Sequence, residues 1–168
     1  MEKGRIIIVE DEESILMMLT EFLRGNDYLV DPSLEGKDAL SALKANNYHV
    51  LITDLTMPKV DGLQLINYIQ KEYIDTIGIV MTGYGSLETA ISAMRLGAFD
   101  YVLKPFKFED ILLTIDSAMK YYKMLKNETI PKGLMSKSNL LKRFSQSKLL
   151  LENTILRSSL KDKYKFEN

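Results

Sequence analysis

Short apolar runs alternate with stretches of helical period along most of the 168-residue chain. Arg5 to Val9 (RIIIV), Tyr28 to Val30, Val50 to Thr53, Ile77 to Met81 and Tyr101 to Leu103 predict strands. Between them, four stripes predict helices: Ile15, Leu16, Leu19 and Leu23; Ala39, Leu40 and Leu43; Leu63, Ile66 and Ile69; Ala90, Ile91 and Met94. A fifth, Ile111, Leu112, Ile115, Met119 and Tyr122, predicts a helix reaching about Lys126. Gly25, Gly36, Gly62 and Gly97 fall where caps and turns belong. The alternation predicts a parallel sheet covered on both faces, because parallel strands need helical crossovers.

The strand ends carry the chemistry. The first runs into Glu10 and Asp11, the third ends at Asp54, the fourth at Thr82, and the fifth at Lys104 followed by Pro105. In an open parallel sheet, ligands bind outside the carboxyl ends of the strands, near a switch in strand order. Adjacent strands would therefore gather three carboxylates, a hydroxyl and an ammonium around one cleft. Two unit charges about 4 Å apart repel by roughly 4 kcal/mol at an effective dielectric near 20, so such a group calls for a cation. With oxygen ligands only, a partly hydrated Mg²⁺ fits better than a calcium cage.

Composition narrows the setting. With no cysteine in the chain, disulfides, thiolate chemistry and Cys-based zinc sites are excluded, and a cytoplasmic home is expected. The opening apolar run, Ile6 to Val9, is too short for a signal peptide, and no run is long enough to span a bilayer. A net charge of -1 conceals an asymmetry: about 10 basic and 19 acidic residues precede Lys120, against about 12 basic and 4 acidic from there on. The basic residues are spaced between apolar ones without aromatic interleaving, which predicts a solvated helix face and not a nucleic-acid surface. Gly83 and Gly85 lack the third glycine of a dinucleotide fingerprint. His49, the lone histidine, stands at a strand start and reads as structural.

The acidic pair Glu10-Asp11, the DLTMPKVDG segment from Asp54, MTGYG at Thr82 and YVLKPF around Lys104 together resemble the receiver domains of two-component response regulators. This resemblance, over about the first 125 residues, implies a flavodoxin-like (CheY-like) α/β fold, a five-stranded parallel sheet of order 2-1-3-4-5 with helices on both faces. It implies that Asp54 accepts a phosphoryl group from a sensor histidine kinase. It further implies that Asp11, Asp54 and the Thr56 backbone carbonyl hold Mg²⁺, with Glu10 reaching it through water, and that Lys104 and Thr82 contact the phosphoryl oxygens. Glu10 stands where many members have Asp. A cis peptide before Pro105 and a Thr82–Tyr101 switch that remodels the face of the fourth helix, fifth strand and fifth helix are also implied. Thr56 and Tyr84 are expected to flank the water path to the acyl phosphate. Such a domain is a self-modifying substrate and slow self-phosphatase, so no enzyme is expected, and no ATPase motif is present. A haloacid dehalogenase-type phosphatase would want a second Asp two positions after the nucleophile, where Thr56 stands.

Beyond Lys126, Pro131 and Gly133 interrupt the pattern, and a helical period resumes at Leu140. Leu149, Asn153, Leu156 and Leu160 keep heptad-like spacing, which suits a short coiled coil. The closing Tyr164-Lys165-Phe166-Glu167-Asn168 resembles the entry to the ATPase of NtrC-like, sigma-54-dependent transcription activators. The expected organisation is a receiver at 1–126 and a linker at 127–168, homodimeric through the fifth helix and linker, leading to an absent ATPase module. DNA and sigma-54 RNA polymerase would be met only through absent downstream domains, and no membrane is involved. A stand-alone receiver acting through a partner protein is the alternative.

Overall fold

The structure, a computed structural model, describes residues 1–72, 74–83 and 87–126. Strands and helices alternate: β1 (Gly4–Val9), α1 (Glu13–Gly25), β2 (Tyr28–Ser33), α2 (Gly36–Ala45), β3 (Val50–Asp54), α3 (Gly62–Lys71), β4 (Ile77–Thr82), α4 (Leu87–Leu96), β5 (Asp100–Leu103) and α5 (Phe108–Lys126). The strands form one parallel sheet of order β2-β1-β3-β4-β5, as expected. β2 runs past the expected Val30 through Asp31 and Pro32 to Ser33. It lies at the sheet edge, which tolerates a residue without an N–H, and there Leu29 is exposed.

Every residue of the central strands β3 and β4 is buried, because helices cover both faces. Alternate side chains of β1 divide between two cores. Ile6 and Ile8 pack with Leu16, Leu19 and Leu23 of α1 and with Ile111 and Ile115 of α5. Ile7 and Val9 pack with Ala39, Leu43, Leu65, Ile66 and Met94 on the side of α2, α3 and α4. Burying one such aliphatic side chain contributes about 1.5–3 kcal/mol.

Details of the helix faces differ from the expected stripes. Leu65 is fully buried and Leu63 only partly, Ala93 and not Ile91 completes the inward side of α4, and Tyr121 is buried while Tyr122 packs against the core half-exposed. Tyr122 is held at the base of the sheet, its ring 4.7 Å from that of His49. His49 Nδ1 accepts the Arg5 backbone N–H at 3.0 Å, the structural duty expected of it.

Two connections place the loop after β3. Asp61 caps α3 by accepting the Gln64 N–H at 2.9 Å, while the Gln64 side chain accepts the Asp61 N–H at 2.8 Å, a reciprocal capping box. Gly62 follows, and a Cβ there would lie 2.2 Å from the Asp54 carbonyl oxygen. Only glycine permits that approach of α3 to the end of β3. The linker, its heptad and Tyr84 lie outside the described residues.

Candidate functional site

Parallel pairing brings the carboxyl ends of β1, β3, β4 and β5 to one edge. The chain leaves β1 outward to β2 and returns on the other side of β1 to β3, so the switch in strand order falls between β1 and β3. Glu10 and Asp11 leave β1 there, and Asp54 ends β3. Glu10, Asp11 and Asp54 each offer a carboxylate oxygen within 4.8 Å of the others. Glu10 and Asp54 are buried and Asp11 is exposed, so the cluster opens to solvent on one side.

Lys104 reaches the cluster from the end of β5. Its Nζ lies 2.5 Å from Glu10 Oε2 and 3.0 Å from Asp54 Oδ2. Glu10 Oε1 accepts the Glu12 backbone N–H at 3.1 Å, and Asp54 Oδ1 accepts the Thr56 N–H at 3.3 Å. Burial pushes the Glu10 carboxyl up to about 6, helped by the negative Asp54 and opposed by Lys104 and the Glu12 N–H. Burial works against the Lys104 ammonium, but hydrogen bonds and charge from Glu10 and Asp54 outweigh it, and its pKa lies above the ordinary lysine value. The Lys104–Pro105 peptide bond is cis.

Thr82 is buried at the end of β4, and its Oγ1 donates to the Gly83 carbonyl at 3.5 Å. Val80 pairs with Tyr101 and Thr82 with Leu103 across the β4–β5 ladder. Side chains two apart on a strand share a face, so Thr82 and Tyr101 project from the same face, the one covered by α3 and α4. Tyr101 is half-buried there.

The structure thus brings Glu10, Asp11, Asp54 and Lys104 together, with Thr56 held to Asp54 and Thr82 one strand away. What sequence reasoning missed is the holding apparatus. The Asp61 cap was signalled by the D-x-x-Q spacing, whereas the Glu12 N–H on Glu10 had no side-chain signal.

These residues suit a cation. The donors are all oxygen and one side is open for water, while Lys104 offsets only part of the negative charge of the three carboxylates. A hard divalent ion matches such a set.

The model of the response regulator receiver domain matches residues 6–116. The chain belongs to the response regulator receiver family. Among curated proteins, this receiver is 34% identical over 123 residues to the DNA-binding transcriptional regulator NtrC of Proteus hauseri, covering 73% of this chain and 26% of that protein. It is 33% identical over 123 residues to the regulatory protein AtoC of Escherichia coli K12, covering 73% and 27%. Among solved structures, a response regulator receiver domain protein from Clostridium thermocellum superposes with a TM-score of 0.69 at 31% identity, covering 73% of this chain and 98% of that one. The receiver spans about a quarter of the length of the curated relatives it matches. Receivers of this family bind Mg²⁺ at an acidic pocket, and this chain has an acidic cluster of Glu10, Asp11 and Asp54. Among the described residues, no helix is long and apolar enough to cross a membrane.

Proposed function

We propose that Asp54 is the acceptor of a phosphoryl group from a sensor histidine kinase, and that the receiver uses it to regulate a downstream transcription-activating module. The observation that carries this is the convergence of Lys104 on Asp54 and Glu10 beside the open Asp11 carboxylate. An Asp54 oxygen attacks phosphorus, the P–N bond of the phosphohistidine breaks, and its electron pair returns to the imidazole; the product is an acyl phosphate. Asp11, Asp54 and the Thr56 carbonyl would hold Mg²⁺, with Glu10 reaching it through water. The ion would supply positive charge to the oxygens of the transferring group.

Lys104 keeps Asp54 oriented before transfer and stabilises phosphoryl oxygens after it. The added charge of about -1.5 to -2 competes with Glu10 for the Lys104 ammonium and draws the Thr82 hydroxyl from the Gly83 carbonyl. Tyr101, on the face Thr82 shares, turns inward into the space released. The face of α4, β5 and α5 changes shape, which alters a homodimer formed through α5 and the linker.

Residues 1–126 act as the receiver and 127–168 as the linker to an ATPase and DNA-binding module that engages sigma-54 RNA polymerase in the cytoplasm. The likeness to NtrC and AtoC supports this reading. Water attack on the acyl phosphate returns Asp54 and inorganic phosphate, a slow self-reversal and not turnover of an external substrate. Incubation with acetyl phosphate and Mg²⁺, followed by borohydride reduction, tests the assignment. Reduction to homoserine at position 54 is expected; a modification mapped to Asp11 or Glu10 overturns it.

A further inference from the structure

The connection between β2 and α2 touches both halves of the acidic site. The Glu10 backbone N–H donates to the Ser33 carbonyl at 3.1 Å, which ties the connection to the acidic pair. Ser33 Oγ donates to the Glu35 carbonyl at 2.8 Å, which draws the connection into a compact turn. Gly36 comes next and opens α2 directly against the other half. A Cβ at position 36 would lie 1.9 Å from the Val60 carbonyl oxygen and 2.8 Å from its carbon, where ordinary contact is 3.4–4 Å. Those are backbone atoms and have no rotamer to retreat into.

Val60 belongs to the loop that leaves Asp54 and carries Thr56. The far end of that loop is fixed by the Asp61 capping box and by Gly62 under the Asp54 carbonyl. Between Thr56 and Val60, Lys59 takes a left-handed φ of 64°, a conformation that a long side chain keeps only where its surroundings impose it. The contact with Gly36 reaches this stretch from another element at the backbone itself, beside the burial of the Met57 side chain in the core.

We propose that Gly36 is a positioning residue for the divalent cation: the side-chain-free contact between α2 and Val60 sets where the Thr56 carbonyl stands relative to Glu10 and Asp11. It rests on the reading above that this carbonyl is a ligand. Gly36 touches no reacting atom and acts through Val60. One short connection, Ser33 to Gly36, thereby holds the β1 half of the site and the β3 half in register. A side chain at 36 must push Val60 and α2 apart, while the N–H of Glu10 stays on Ser33.

The test is Mg²⁺ affinity of the full chain by titration calorimetry, together with the amide resonance of Thr56. Gly36→Ala is compared with Gly78→Ala, whose Cβ would meet the Ile66 and Ile69 side chains at 2.4 and 3.2 Å and so strains the core without touching the loop. Gly36→Ala is expected to weaken Mg²⁺ binding at least tenfold and to move the Thr56 resonance. Gly78→Ala is expected to lower the unfolding temperature and keep the affinity within twofold. A Gly36→Ala protein with native affinity and a native Thr56 resonance overturns the proposal. Should that variant not fold, Mg²⁺ titration of the native protein decides, since coupling between two sites is reciprocal. Gly36 and Val60 amides must then shift with the midpoint of Thr56, and their silence overturns it. A native protein that takes up no Mg²⁺ overturns the metal assignment as well, whereas an unchanged Gly36→Ala affinity overturns this inference alone.

Discussion

Lys104 Nζ stands closer to Glu10 Oε2, at 2.5 Å, than to the Asp54 oxygen it also contacts, at 3.0 Å. The longer Glu side chain therefore does more than replace an Asp: it reaches across the cleft to share the lysine. The same ammonium opposes a bound cation and attracts a phosphoryl group, so its removal separates the two properties.

Lys104→Met is expected to tighten Mg²⁺ binding by about fivefold, the equivalent of roughly 1 kcal/mol of relieved repulsion. It is expected to slow phosphorylation of Asp54 by about a hundredfold, the scale of losing one stabilising donor. Calorimetry gives the first and the rate of mass gain with a small phosphodonor gives the second. Parallel losses of both would contradict the shared-lysine arrangement.

Tyr101→Ala leaves Asp54 accessible, because Tyr101 lies away from the carboxylate cluster on the face of α3 and α4. The variant is expected to be phosphorylated within about twofold of the native rate and to lose the phosphorylation-dependent change in self-association. Light scattering with and without phosphodonor reads the outcome. An unaltered association change would remove Tyr101 from the switch.

Asp61→Ala deletes the acceptor for the Gln64 N–H. A destabilisation of about 1 kcal/mol is expected from the lost cap, read as a lower urea midpoint with an unchanged slope. Asp61→Asn, which retains an acceptor, should recover most of it.

The His49 pKa is lowered, first by burial and then by the positive Lys123 and Lys126. Around the ring stand Tyr122, Lys123 and Lys126 of α5, the last paired with Asp75. In the unfolded chain His49 takes a proton near pH 6.5; folded, it takes one only at lower pH. Its contribution to stability is thus present above pH 6.5 and lost as pH falls from there through the lower folded pKa. Urea midpoints at pH 7.5 and 5.5 are expected to separate more for the native protein than for His49→Gln. Equal separations would contradict a neutral folded His49.

Much of this was legible in the chain because parallel strands buried on both faces leave an unbroken apolar run. Val50 to Thr53 could be read directly, and the carboxylate that ended the run marked the site. Glu10, Asp11, Asp54, Thr82 and Lys104 were all placed by that one rule. Contacts spanning long separations were not legible. Nothing near Glu10 announces its bond to Lys104, and nothing near Gly36 announces Val60, since both depend on how the strands and helices assemble. The choice between neighbouring helix positions was similarly hidden: Leu63 and Leu65 are equally apolar, and only Leu65 is fully buried in the core on the side of α2, α3 and α4.

The most direct test of the central claim is the intact mass of the protein after incubation with acetyl phosphate and Mg²⁺, beside Asp54→Asn and a magnesium-free control. The account predicts a gain of one phosphoryl group in the native protein with Mg²⁺ alone. An equal gain by folded Asp54→Asn, or no gain by folded native protein, would contradict it.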